Sequence, residues 1–148
     1  MVGIEKGQNV TLVEMFPRDG LQGLEPDEYE KLTTEIKIDL IERMAECGFP
    51  EIEVASFAHP EVIPQLGDAE AVLNGLSQHK CVTYSALVPN EVGLERAIDA
   101  GVKKVSFLVT ASESYQMKNA NMSVDENLAQ ITKMATKATQ RDIDISAG

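Results

Sequence analysis

The sequence predicts an α/β fold: about the first four β/α units, and the start of a fifth strand, of a TIM (β/α)8 barrel. Three observations predict it. β-branched apolar runs alternate strictly with segments of helical periodicity from one end of the chain to the other. The strands are mainly apolar, as parallel strands covered by helices are. Polar and charged residues gather just after each strand, where such a barrel keeps its chemistry: Arg18-Asp19, then Ser56 with His59, then Asn90, then Ser112-Glu113. No G-x-G-x-x-G or G-x-x-x-x-G-K-[ST] follows a strand, so an open nucleotide-binding sheet lacks its usual signature.

Taken in order, residues 10–15 read as a short first strand stopped by Phe16-Pro17 and the Gly20 turn. A helix follows a polar loop, with Thr33 or Thr34 as its N-cap, Ile36, Leu40, Ile41 and Met44 as its apolar stripe, and Gly48 at its end. Residues 52–55 form the second strand, and Ala69, Val72, Leu73 and Leu76 mark the next helix by their spacing. The third strand covers 82–88 and is stopped by Pro89-Asn90; Leu94, Ala97 and Ile98 mark a short helix closed by Gly101. Residues 104–109 are the fourth strand. Its helix opens with the capping box Ser123-Val124-Asp125-Glu126 and continues through Leu128, Ile131 and Ala135. Residues 143–146 begin a fifth strand.

A whole barrel takes roughly 250 residues, so the 148 residues here are expected to be the N-terminal part of one truncated domain. Open strand edges and an uncovered inner face, expected to be apolar, then call for the remainder of the barrel or for another copy in a homo-oligomer. With 43% hydrophobic and 25% charged side chains the chain is globular and not disordered. A net charge of -11 without a clustered basic surface excludes a nucleic-acid partner and asks for a local cationic pocket if the substrate is an anion. No apolar run reaches the length of a membrane span, and Met1–Lys6 has neither a signal core nor an Arg-rich stretch, so a cytoplasmic protein is expected. Cys47 and Cys81 stand in apolar stretches without C-x-x-C spacing, as reduced thiols.

Arg18 and Asp19 are the first candidate pair: a carboxylate binds a hard cation, and a guanidinium meets developing oxyanion charge. From spacing alone a loop salt bridge is the plainer reading, since Arg and Asp near Gly are common turn residues. Glu53 lies inside an apolar strand between Ile52 and Val54, where a charge is costly without a partner, which places it facing the barrel interior near Arg18 or pointing to solvent from an edge strand. Gln22 and Ser56 are weaker candidates. His59 and His79 lack a second histidine at ligand spacing and read as surface residues. Lys118-Asn119-Ala120-Asn121 either helps to hold an anionic group or is a solvated loop before the capped helix.

The segment Phe16-Pro17-Arg18-Asp19-Gly20-Leu21-Gln22 closely resembles the first-strand signature of the hydroxymethylglutaryl-CoA lyases, within the metal-dependent TIM-barrel lyases that include isopropylmalate and homocitrate synthases. Residues 48–57, Val62-Ile63-Pro64-Gln65-Leu66-Gly67-Asp68, Pro89-Asn90, Ala111-Ser112-Glu113 and 118–121 agree in order, so the resemblance covers nearly the whole chain. It implies that Asp19 is a ligand of a Mg²⁺ or Mn²⁺ ion, that Arg18 stabilises the enolate oxygen, and that Glu53 supports the same centre. It further implies substrate contacts by Arg18, Gln22 and Ser56. The implied reaction is retro-Claisen cleavage of hydroxymethylglutaryl-CoA to acetyl-CoA and acetoacetate, a step of leucine degradation and ketone-body formation.

The same resemblance places the His-x-His metal pair, an asparagine ligand and the catalytic-cysteine loop in the family's second half. None of them is in this sequence, and Cys47 and Cys81 match no such loop. The active site is therefore expected to be incomplete and the fragment inactive or impaired. Departures within the matched half are Gly23-Leu24 after Gln22, and His59 and Glu61 where serine and a basic residue are usual. The alternatives are a condensing enzyme of the synthase type, which Ser56-Phe57 and residues 64–68 disfavour, and a non-catalytic half-barrel remnant or assembly partner.

Overall fold

A computed structural model describes residues 9–148; Met1–Lys6, read above for targeting, lies outside the described residues. The strands are β1 (Val13–Glu14), β2 (Glu51–Ser56), β3 (Thr83–Leu87), β4 (Lys104–Phe107) and β5 (Asp144–Ala147). They form one parallel sheet in the order β1-β2-β3-β4-β5, the unclosed run of neighbours expected of a partial barrel. The helices are α1 (Pro26–Tyr29), α2 (Thr34–Glu46), α3 (Ala69–Gly75), α4 (Glu91–Asp99), α5 (Glu113–Ala120) and α6 (Val124–Gln140). Among the described residues no helix is long and apolar enough to cross a membrane.

The expected caps hold. The Thr33 hydroxyl accepts from the Ile36 N–H and starts α2, while Ser123 and Glu126 complete the capping box of α6. After α2 and α4 the chain reverses at Gly48 and Gly101, whose φ values of +86° and +77° suit a residue without Cβ. Ile52, Val54, Ala86, Val105 and Phe107 point from the strands to the helix layer, where Ile41, Leu94, Ala97, Met134 and Ala138 complete the core. Each large apolar side chain buried there contributes about 1.5–3 kcal/mol. Two tight joints set the helix positions. A Cβ on Gly93 of α4 would come within 2.6 Å of the Phe57 carbonyl oxygen, and Arg96 of α4 forks onto Glu70 of α3 while lying over the Phe57 ring.

Several expectations need correction. The first strand is shorter than read: among the described residues β1 has only β2 beside it, and Val10 and Leu12, which precede it, are exposed. The apolar stripes are as read at Ile41, Met44, Ile131 and Ala135 and fail at their first positions. Ile36 and Leu128 are exposed, and the deepest positions of α2 and α6 are Lys37, Ile41 and Ala45, and Asn127, Met134 and Ala138. Both Cys47 and Cys81 are exposed free thiols. Residues 113–120 are helical, so Lys118-Asn119-Ala120 closes α5 rather than forming a loop, and Asn121 caps it with left-handed backbone.

The largest correction concerns the inner face, which is not apolar. Strand register puts Glu51 beside Thr83, Glu53 beside Ser85, Lys104 and Asp144 in one row, and Ser56 beside Leu87, Ser106 and Ser146 in the next. Glu51, Glu53, Ser56 and Ser85 are nonetheless buried. Lys104 donates to Glu51 at 2.7 Å, so the buried Glu51 charge on this face is paired.

Candidate functional site

Beyond β1 the chain winds into one helical turn, Phe16–Gly20, with Pro17 buried at its start, where a fixed φ and a missing N–H cost nothing. This turn carries Arg18 inward over β2. Its Nε donates to Glu53 Oε1 at 2.5 Å and its Nη1 to Asp19 Oδ1 at 2.8 Å. The Ser106 hydroxyl donates to the other carboxylate oxygen, Oε2. Exposure separates the three charged side chains: 13% for Arg18, 5% for Glu53 and 71% for Asp19. Glu53 is thus a buried anion held from two sides, Arg18 a cation ordered by it, and Asp19 a carboxylate open to solvent. Among the described residues Arg18 Nη2 has no protein partner.

The inward placement of Glu53 beside Arg18 is as the sequence predicted, and the edge-strand alternative fails because β2 lies between β1 and β3. Ser56 shares the inner face with Glu53 although three positions separate them. A register shift between Glu53 and Ala55 changes the alternation and re-aims Ser56 inward. Its hydroxyl accepts from the Ala58 N–H at 3.3 Å. Gln22 follows the Phe16–Gly20 turn and is exposed, and among the described residues its side chain makes no hydrogen bond to the Arg18–Glu53 pair.

Other strand-end residues do structural work. Asn90 accepts from the Gly93 N–H and starts α4, and Ser112 accepts from the Tyr115 N–H and starts α5. His59 is a surface residue, as read. His79 is not: it is half-buried, 2.6 Å from Glu42 and edge-on to the Tyr84 ring, in the loop leading into β3 at the opposite end of the sheet. Burial, reinforced by Glu42, pushes the Tyr84 phenol up to about 12. Asn119, with His59, Asn90, Leu108, Gln116 and Asn127, lines a cavity of about 250 Å³ past the ends of β2, β3 and β4.

Sequence reasoning missed Ser106. Its signal was the same as that of Glu53, a polar residue between apolar strand neighbours, Val105 and Phe107. Among the described residues no group of three or more His, Cys, Asp or Glu side chains could hold a metal ion. An exposed carboxylate oxygen on Asp19 is the right kind of donor for a hard divalent cation, which takes about six oxygen ligands. It fits as one ligand of several.

The HMGL-like family model matches residues 9–148. Hydroxymethylglutaryl-CoA lyase YngG of Bacillus subtilis is 42% identical over 134 residues, which is 88% of this chain and 44% of that protein. The crystal structure of an HMG-CoA lyase from B. subtilis superposes with a TM-score of 0.85 at 38% identity, covering 93% of this chain and 45% of the other. An HMG-CoA lyase from Acinetobacter baumannii, solved in complex with coenzyme A and 3-methylmalate, gives a TM-score of 0.81 at 34% identity, with coverages of 93% and 43%. The chain spans less than half the length of these relatives.

Proposed function

Because the chain belongs to the HMGL-like family, we propose that residues 1–148 are the N-terminal part of one barrel domain in a divalent-metal-dependent carbon–carbon lyase. Its substrate on this reading is hydroxymethylglutaryl-CoA, cleaved to acetyl-CoA and acetoacetate. The observation that carries the reading is the Arg18–Glu53 pair, whose guanidinium comes from the turn beyond the C-terminal end of β1, with the open Asp19 carboxylate beside it.

Glu53 fixes the Nε edge of Arg18, which leaves Nη2 to donate to the enolate oxygen of the departing acetyl-CoA as its charge develops. The guanidinium, ordered before substrate arrives, has little reorganisation to do. Ser56, on the inner face one row nearer the strand ends, and Gln22, at the rim, are the proposed substrate contacts. Asp19 would hold Mg²⁺ or Mn²⁺, which when bound supplies Lewis-acid polarisation of substrate oxygens. One such ligand and, among the described residues, the open outer edges of β1 and β5 support the reading that the 148 residues alone are inactive or impaired, needing the remainder of the barrel or another copy in a homo-oligomer. Two free thiols fit a reducing compartment, here assigned as the cytoplasm.

The test is cleavage of hydroxymethylglutaryl-CoA with added Mg²⁺ or Mn²⁺ by the protein carrying this chain, and by its Asp19→Asn variant. The expected loss in Asp19→Asn is at least about 100-fold in kcat. Unchanged activity removes the metal assignment, and clear activity in the 148-residue chain alone removes the claim that its site is incomplete.

A further inference from the structure

We propose that Ser106 is a positioning residue for the Arg18–Glu53 pair, acting on Arg18 through Glu53 and touching no substrate; this rests on the reading of Arg18 above. The terminal torsion of a glutamate is broad, so a carboxylate tethered through one oxygen can still pivot. Here both oxygens are taken, Oε1 by Arg18 Nε and Oε2 by the Ser106 hydroxyl. The carboxylate plane is fixed, and with it the direction in which Arg18 presents Nη2.

The bond is unusual in its reach. Ser106 is on β4 and Glu53 on β2, with β3 between them. Register places Ser85 of β3 between Glu53 and Lys104, and its small side chain leaves a passage over the central strand. The Ser85 hydroxyl is itself buried and has no hydrogen-bond partner among the described residues, so its chemistry is not what the passage uses. One row below, Lys104 of β4 reaches Glu51 of β2 along the same diagonal. Two donors on β4 therefore serve two carboxylates on β2. The lower pair neutralises a charge, and the upper one orients a carboxylate that already has its counter-ion.

The experiment uses the whole protein carrying this chain, with two readouts: kcat and KM on hydroxymethylglutaryl-CoA with Mg²⁺, and solvent exchange of the Arg18 Nε–H followed by NMR. Ser106→Ala is expected to lower kcat by about tenfold with KM within about twofold, and to speed Nε–H exchange by about tenfold, as for loss of one bond to a charged group. Ser106→Thr, which keeps a hydroxyl, should return both to within about threefold. Ser85→Ala should change neither. Ser85→Val, which closes the passage while keeping Ser106, should reproduce the faster exchange. Unchanged Nε–H exchange in both Ser106→Ala and Ser85→Val overturns the proposal, as does a Ser106→Thr variant no better than Ser106→Ala. If the unsubstituted protein cleaves no hydroxymethylglutaryl-CoA, the lyase reading falls and the exchange measurement still decides the role of Ser106.

Discussion

Arg18 and Glu53 should be strongly coupled in stability, and a double-mutant cycle measures by how much. Glu53→Met keeps side-chain length and removes the carboxylate; Arg18→Met removes the guanidinium. Breaking a fully buried ion pair from one side costs about 3–5 kcal/mol, because the other charge is left uncompensated. Glu53 is close to that limit at 5% exposure, but Arg18 at 13% keeps some water and retains Asp19 at 2.8 Å. Each single variant is therefore expected to lose about 2–3 kcal/mol. The double variant leaves no orphaned charge and should lose less than the sum, a coupling of about 2 kcal/mol. In urea, with a slope of about 2 kcal/mol per molar, each single change moves the unfolding midpoint down by about 1 M. A coupling below about 0.5 kcal/mol would show that the pair is a solvated contact, and the preorganised guanidinium would lose its basis.

Two further outcomes follow from other parts of the fold. The Arg96 guanidinium hydrogen-bonded to Glu70 holds its carboxyl below the ordinary value of 4.5, against burial that pushes it up. The stability this adds is present above 4.5 and is lost as pH falls through the lowered folded value. Glu70→Gln should thus cost about 1 kcal/mol or less at pH 7, and the gap in urea midpoint should close on acidification; a gap constant down to pH 3 contradicts the assignment. Gly93→Ala should lower the melting temperature by about 5 °C, since its Cβ would meet the Phe57 carbonyl oxygen, a backbone atom, at 2.6 Å. An unchanged melting temperature would mean that α4 can slide off β2 freely.

The alternation of strands and helices was legible because apolar periodicity and caps are local: Thr33, Ser123 and Gly48 each announce a helix end without knowledge of the rest of the chain. Glu53 was legible because a charge in an apolar strand demands a partner, and Arg18 is that partner. What was not legible depends on neighbours across the sheet. Ile36 and Leu128 fit their stripes by spacing, yet each is exposed where the rest of its stripe meets the core. Helix α5 is too polar to show a stripe at all. The inward turn of Ser56 needs a register shift, and the reach of Ser106 over Ser85 needs strand order, and neither is written in any single segment.

The Lys104–Glu51 pair also constrains the order in which these two residues could have arisen. The glutamate side chain is 9% exposed and the lysine 22%, its amine carried on a flexible stem. A lysine at position 104 without its carboxylate can turn its amine toward water and cost little. A glutamate at position 51 without its lysine would be a stranded anion inside the sheet. The tolerable mutational path gains the lysine first and loses it last, so ancestors or variants with lysine alone should fold, and those with glutamate alone should be the rare, unstable intermediates.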